Sequence, residues 1–442
     1  MLELFPHQVD ALEQTKEQNR VAYYLDMGLG KTFVGSEKMK QLGAKVNLVI
    51  CQKSKIEDWV EHFKEYYDMN PCDLTKVKSS DLKHFIEVSY SVPVPSVYII
   101  NYELAFRRKE LLQLKDFTLM LDESSMIQNE TAKRSSFILK MEPENVILLS
   151  GTPTSGKYET LWSQLHLLGW PISKDLYWKQ YVDTEILDNE GYPIKVIKGY
   201  KNVERLKRKL RQHGAVFMKS EEVFDLPEQI MQTIKIPTTK EYRKFKKDSI
   251  VSFEGKSIHT STVCGGEEEF REYIELVGDT TLTKMLYERQ LCGQYNRDKL
   301  DAFQDILEST NDRLIVFYNF TAELEAMRHI CDALGRAYSI VNGQIKDLYA
   351  YENEIDSVTF LQYQAGAMGL NLQKANKIIY FTPPQWSELF EQSKKRIHRI
   401  GQKHTCFYYM LTCQNSIEEK IYETLAMRKD YTDALFEQEE KQ

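Results

Sequence analysis

Two α/β lobes, each built on a parallel sheet, with a helical insert between them, are the architecture this sequence predicts. Three observations carry the expectation. Short apolar runs alternate with stretches of helical spacing through residues 1–156. A glycine-rich turn joins the first apolar run to the first helical stretch. The alternation then begins again at Arg313, after an intervening stretch of different character. At 442 residues the chain exceeds what one hydrophobic core ordinarily serves, so two to three domains are expected. The segments are residues 1–156 for the first lobe, 157–296 for helical protrusions and linker, and 297–442 for the second lobe with a closing helix.

In the first lobe, residues 21–25, 46–51, 97–101, 117–121 and 145–150 are apolar runs of the kind that form strands buried on both faces. Between the second and third, residues 54–67 have helical spacing. Ile56, Trp59, Val60 and Phe63 share one face, and Ser54 is placed to cap the N-terminus. From residue 157 to 232 the pattern changes. The turn signal Asp188-Asn189-Glu190-Gly191 between residues 185–187 and 193–197 predicts a small hairpin. Residues 201–211 read as a basic amphipathic helix carrying Lys201, Arg205, Lys207, Arg208, Lys209 and Arg211, and a solvated helix face is the plainest account of it. Residues 238–297 read as charged and mostly helical, with a polar loop at 257–266. The second lobe places strands at 314–318, 337–341, 358–362, 377–381 and 406–412, a helix at 321–334 and a long amphipathic helix at 416–436. No repeat of 20–50 residues and no low-complexity tract is visible.

Composition narrows the class. Hydrophobic residues make up 42% and charged residues 28%, a globular balance, and the 12% aromatic fraction supplies ample core. The sequence contains no apolar run long enough to span a bilayer and no signal-peptide pattern, so no membrane partner is expected. Seven cysteines are scattered without a C-x-x-C pair, which argues against a zinc site and fits reduced thiols. A formal charge of -7 predicts no global attraction to nucleic acid, so any such binding needs local basic patches.

The chemistry begins at Leu25-Asp26-Met27-Gly28-Leu29-Gly30-Lys31-Thr32, between a predicted strand and a predicted helix. Glycines let backbone N–H groups face an anion, and the helix N-terminus adds its dipole. Lys31 can then reach the β/γ-phosphates and Thr32 can ligate Mg²⁺. A chance glycine-rich turn is the alternative, and the flanking strand and helix favour the cradle. Asp122-Glu123 ends another buried run. Beside a phosphate loop, such an aspartate helps hold Mg²⁺ while the glutamate orients the attacking water; alone, it would read as a solvated strand end. Ser150-Gly151-Thr152-Pro153-Thr154 is a hydroxyl-rich turn after a further strand, able to sense phosphate or nucleic acid, and an ordinary Ser/Thr/Pro loop explains it equally well locally. In the second lobe, Arg396 and Arg399 are three apart, so on a helix they would share a face and could reach one cleft; a basic surface helix end is the bland reading.

Taken together these segments resemble the Swi/Snf-type, chromatin-remodeller-like ATPases of helicase superfamily two, in family order from Phe5 to about Arg428. Pro6-His7-Gln8 is similar to the adenine-reading motif, with Gln8 in the glutamine position. Residues 26–32 match the phosphate loop, which in that superfamily does not require glycine at position 25. Residues 49–59, with Lys53 and Ser54, resemble the first DNA-contacting motif. Asp122-Glu123 matches the Walker B pair, with Ser125 where the family usually has histidine. Ser150-Gly151-Thr152-Pro153 resembles the motif coupling ATP to DNA, and residues 206–227 the stretch leaving the first protrusion. Residues 365–372, including Gly369 and Asn371, resemble motif V. Residues 392–402 match the arginine-finger motif, with Lys395 where an acid is common.

The resemblance implies two RecA-like lobes and an ATP-driven motor on double-stranded DNA, with ATP and Mg²⁺ as cofactors. It implies nucleotide binding by Gln8, Met27, Gly28, Leu29, Gly30, Lys31, Thr32 and Gly369, and metal binding by Thr32 and Asp122. Lys31, Asp122, Glu123, Arg396 and Arg399 would act in catalysis, the two arginines completing the site as the lobes close. Lys53, Ser54, Thr152 and Asn371 would touch DNA, mainly at phosphates. Trp386 reads first as a core tryptophan and second as a stacking platform. Without a recognisable chromatin-reading, nuclease or zinc module, a small prokaryotic or viral motor is expected. It would be monomeric on its own, cytoplasmic in a bacterial or infected cell or nuclear in a eukaryote, with a nuclease or replication protein as the kind of partner such motors serve. A strand-separating helicase, with a hairpin near Asn189 as its pin, is the nearest rival. A nucleotide-controlled DNA clamp with slow hydrolysis, which Ser125 and Lys395 keep open, and an RNA-directed motor follow.

Overall fold

The computed structural model describes residues 3–189, 192–257, 270–366 and 370–436. Its contacts divide the chain into two compact units: Met1–Asp225 together with Arg428–Gln442, and Leu226–Met427. Each is an α/β unit on a parallel sheet.

The first unit contributes β1 (Arg20–Leu25), β2 (Val46–Cys51), β3 (Asn70–Asp73), β4 (Ser96–Asn101), β5 (Phe117–Asp122) and β6 (Asn145–Leu149). The antiparallel hairpin β7 (Val182–Asn189) and β8 (Tyr192–Tyr200) follows, then β9 (Ala215–Met218). Seven of these strands form one sheet in the order β3-β4-β2-β5-β6-β1-β9, every neighbouring pair parallel. Both faces are buried, which explains why the strands read as continuous apolar runs. Along β1, Ala22 and Tyr24 enter one apolar cluster while Val21, Tyr23 and Leu25 enter another, the period-two alternation of a pleated strand. The helix Lys31–Leu42 packs closely over the sheet: a Cβ on Gly35 would lie 3.0 Å from both Leu149 and Met120. Because β5, β6 and β1 are adjacent and parallel, the loops leaving their C-terminal ends emerge side by side at one edge.

The second unit holds β10 (Gln229–Ile236), the hairpin β11 (Ile250–Ser257) and β12 (Phe270–Val277), then β13 (Leu314–Tyr318), β14 (Tyr338–Val341), β15 (Val358–Gln362), β16 (Lys377–Tyr380) and β17 (Cys406–Cys413). Its main sheet runs β10-β17-β16-β13-β15-β14, again parallel throughout. A lysine–glutamate pair is buried between two helices of this unit. Lys299 Nζ donates to both Glu418 oxygens, at 2.6 and 2.8 Å, with neither side chain exposed. The closing helix Ile417–Phe436 starts beside this pair, and its residues from Arg428 belong to the first unit.

Several local expectations change. Ser54 does not cap the helix Ile56–Tyr66; it lies inside a 3₁₀ turn, Lys53–Lys55, and Lys55 holds the cap position. The stretch 238–297 is not mostly helical, because the hairpin β11–β12 stands between the helices Lys240–Asp248 and Thr281–Cys292. Phe253 of that hairpin packs edge-on to Tyr295, which gives its apolar face a partner. Much of the predicted polar loop at 257–266 falls outside the described residues. The predicted hairpin of residues 185–197 is present and longer, although Glu190 and Gly191 of its turn also fall outside. Besides that second-unit hairpin, three strands escape the reading: β10 is an exposed edge strand, and β3 and β9 are only four residues long.

Candidate nucleotide and nucleic-acid site

At the C-terminal end of β1 the chain turns through Gly28 and Gly30, whose φ angles are +89° and +73°. Side chains rarely adopt that left-handed region, so both glycines are needed to bring successive backbone N–H groups round to one side before the helix Lys31–Leu42 begins. The loop is closed from above by the helix Pro6–Gln14. Gln8 accepts the Phe5 N–H on Oε1 at 3.0 Å and donates from Nε2 to Leu29 O at 3.2 Å. His7 Nε2 sits 3.0 Å from the same carbonyl. A Cβ on Gly30 would fall 2.1 Å from Gln8 Nε2, so the glutamine rests directly on the turn.

Lys31 Nζ donates to Leu25 O at 2.9 Å and Asp26 O at 3.2 Å, which places its ammonium at the strand end. It also approaches the third loop, lying 3.4 Å from where a Gly151 Cβ would be. Asp26 pins the start of the loop: its Oδ2 accepts from the Ser220 hydroxyl at 3.1 Å, and its Oδ1 from Met27 N–H at 2.9 Å. Met27 and Thr32 are half-buried in the same turn.

Asp122 ends β5 beneath this loop. Burial pushes its carboxyl pKa up, opposed by a hydrogen bond from Trp59 Nε1 to Oδ2 at 2.9 Å and by the Lys31 charge. Glu123 follows with φ +55°, a left-handed backbone that costs a non-glycine residue of order 1 kcal/mol. The Tyr102 hydroxyl holds this corner by donating to the carbonyls of Asp122, at 2.9 Å, and Glu123, at 3.3 Å. The strain aims Glu123 toward the loop after β6, where Ser150 Oγ lies 3.5 Å from its Oε2. Ser150 Oγ also accepts the Thr152 N–H at 3.1 Å. The Thr152 hydroxyl has no hydrogen-bond partner among the described residues. Lys53 and Ser54 are exposed on the turn after β2, another C-terminal strand end of this sheet.

Thr32 and Asp122 are hard oxygen donors, and a carboxylate destabilised by burial is one that a nearby dication would favour. The donor set therefore fits Mg²⁺. The first unit thus brings together Gln8, the glycine loop, Lys31, Asp122, Glu123, Ser150 and Thr152.

Arg396 and Arg399 belong to the second unit, and they do not share a helical face. The helix Ser387–Lys394 ends before them, and both lie in the irregular turn that follows. Arg396 is 1% exposed and donates to Leu370 O at 3.4 Å. Arg399 is partly exposed and donates to the Asn371 side-chain oxygen, and burial lowers its pKa. His398 Nε2 lies 2.8 Å from Pro227 O, while Gln402 Nε2 donates to Gln373 O, Ala375 O and Ile397 O. Those two residues shape the turn. Trp386 is 60% exposed, so it is not a core tryptophan. Gly369 lies outside the described residues.

Three further contributors to the first site were hidden in the sequence. Trp59 reads as one member of an apolar face, although a buried indole N–H needs an acceptor and here finds Asp122. Tyr102 carries no local signal. Nor does Gln164, which shares the helix Trp162–Leu167 with the polar residues Ser163 and His166. In the second unit, Cys292, Cys413 and Glu418 come close enough to resemble a metal-ligand set, which their sequence spacing conceals, but the Lys299 ammonium already occupies Glu418.

Among known proteins, the SNF2-related domain family matches residues 23–296 and the helicase conserved C-terminal domain matches residues 298–401. The chain is similar to the DNA repair and recombination protein RAD54B of Gallus gallus, 23% identical over 88% of this chain and 47% of that protein. It is also similar to the probable global transactivator of the Orgyia pseudotsugata multicapsid polyhedrosis virus, 22% identical over 89% of this chain and 82% of that protein. The Sulfolobus solfataricus SWI2/SNF2 ATPase core in complex with dsDNA covers 98% of this chain and 92% of its own at 19% identity, with a TM-score of 0.44. The chain spans about half the length, or less, of its chicken and mouse relatives. No helix among the described residues is long and apolar enough to cross a membrane.

Proposed function

Because this chain belongs to the SNF2-related family of ATP hydrolases, we propose that it is a DNA-stimulated motor that translocates on double-stranded DNA. The observation that carries the reading is the convergence of three loops at the adjacent ends of β1, β5 and β6, which puts Lys31, Asp122–Glu123 and Ser150–Thr152 into one constellation. A candidate water-orienting carboxylate there stands one hydrogen bond from a loop with an unpartnered hydroxyl, and the Lys31 ammonium lies beside the same loop.

In this reading Gln8 and the backbone of residues 27–32 hold the nucleotide, and Lys31 neutralises charge on its β/γ-phosphates. Thr32 and Asp122 hold Mg²⁺, which when bound neutralises phosphate charge as it builds. Trp59 keeps the Asp122 carboxylate oriented, and Glu123 orients the attacking water. Arg396 and Arg399 complete the machinery, so hydrolysis is tied to closure of the two lobes. Lys53, Ser54, Thr152 and Asn371 contact DNA phosphates, which makes binding sequence-tolerant and salt-sensitive.

The test is ATP turnover without nucleic acid and with single-stranded DNA, duplex DNA or RNA, followed by displacement of a third strand from a triplex. Low basal turnover, stimulation by duplex and triplex displacement are expected. Stimulation by single strands alone would replace the translocase with a strand-separating helicase. A folded, ATP-binding protein that no nucleic acid stimulates would overturn the motor.

A further inference from the structure

Gln164 is fully buried in the helix Trp162–Leu167. Its side-chain oxygen accepts from the Ser124 hydroxyl at 2.8 Å and the Tyr24 hydroxyl at 3.0 Å, and its nitrogen donates to Pro153 O at 2.8 Å. The Pro153 carbonyl can only accept, so it fixes which way the amide faces. The partners occupy matching places: Tyr24 is the penultimate residue of β1, Ser124 follows Glu123, and Pro153 follows Thr152. One buried amide therefore ties together the three strand ends that carry the site.

The two routes between the Glu123 turn and the 150–154 loop differ in quality. The direct one, Ser150 Oγ to Glu123 Oε2, is 3.5 Å long, at the outer limit of a hydrogen bond. The route Ser124–Gln164–Pro153 has two bonds of 2.8 Å inside the core, where fixed dipoles act strongly. The Ser124 end holds the backbone next to a glutamate already in a left-handed conformation, so a shift of the loop has a short, stiff path to the carboxylate.

We propose that Gln164 is a positioning residue for ATP hydrolysis: it sets the placement of Glu123 and relays the state of the 150–154 loop to it. The inference rests on the reading above, in which Glu123 orients water and that loop meets DNA. Gln164→Met in the full chain tests it, filling the same volume while removing all three bonds. The expected result is a kcat for ATP roughly tenfold lower without DNA and about thirtyfold lower with duplex DNA, so that the ratio of stimulation falls about threefold, with a KM for ATP within about twofold of wild type. Ser124→Ala, which cuts a single bond, gives a smaller loss of the same kind and keeps the question answerable should the methionine variant misfold. The double variant should be no slower than Gln164→Met, because both changes break one chain of contacts. An unchanged basal kcat in a folded Gln164→Met protein, or additive losses in the double variant, would overturn the inference. A wild-type protein that duplex DNA fails to stimulate would overturn the motor reading instead, and the basal kcat would still decide the role of Gln164 in placing Glu123.

Discussion

The glycine loop of the first unit and the arginine turn of the second are both dense in groups suited to phosphate, yet they hold those groups by different means. Around the loop, backbone conformation does the placing. Gly28 and Gly30 turn the chain, a parallel sheet aligns three strand ends, and Lys31 donates to two carbonyls of its own strand end. Around the turn, bonds to residues distant in sequence do the placing. The His398 and Gln402 side chains meet the distant carbonyls of Pro227 and Ala375, and the Arg396 backbone carbonyl accepts the Leu372 N–H at 3.1 Å. A site built from backbone geometry leaves its signature in the local sequence. One built from tertiary bonds does not, and its functional and structural residues become hard to tell apart.

Arg399→Ala and Arg396→Ala separate the two roles and carry the largest expected effect. Arg399 is partly exposed and held by one side-chain oxygen, so its removal should lower DNA-stimulated turnover by about 10³-fold or more while the thermal midpoint hardly moves. Arg396 is buried against Leu370, so its removal should cost several degrees in the midpoint as well as turnover. Turnover assays beside calorimetry check both. Equal midpoints for the two variants would mean that the turn does not depend on Arg396.

Gly30→Ala probes the backbone-built side, with a smaller effect. The new Cβ meets an unfavourable φ and, 2.1 Å away, the amide nitrogen of Gln8. Gln8 must swing off the loop, so nucleotide affinity should fall roughly tenfold, about 1.4 kcal/mol. Titration with a fluorescent nucleotide checks this. Unchanged affinity would show that Gln8 and the left-handed turn contribute little to binding.

The same contrast explains what the sequence disclosed. The glycine turn between strand and helix and the place of Asp122-Glu123 at a strand end were legible because glycine spacing and strand ends are local features. Both sheets were legible because strands buried on two faces are continuous apolar runs. Helix spacing failed at Arg396 and Arg399, since nothing in Lys394-Lys395-Arg396 signals that the helix ends at Lys394. Edge strands such as β10 lack an apolar run because much of their surface meets water. Trp59, Tyr102 and Gln164 serve the site through bonds to residues 63, 20 and 40 positions away, respectively, a relation no local pattern encodes.

The smallest expected effect concerns the packing beneath the loop. Ser36, on the helix that starts at Lys31, pairs with His62 Nε2 at 3.0 Å, and the His62 ring meets Phe33 and Trp59 edge-on. Burial holds the imidazole neutral and lowers its pKa from 6.5 to about 4, with Glu65 opposing weakly. The unfolded chain takes up a proton near pH 6.5 that the folded chain resists until about pH 4. The stability associated with a neutral His62 is therefore complete above pH 6.5 and is lost progressively as pH falls toward 4. His62→Gln removes the titration while keeping a group able to pair with Ser36. The variant should be somewhat less stable than wild type at pH 7.5, and the gap between their unfolding midpoints should narrow through this window. A gap that stays constant from pH 7.5 to 4.5 would mean that His62 titrates alike in both states. The loop would then owe its rigidity to the glycines and the sheet rather than to this buried neutral ring.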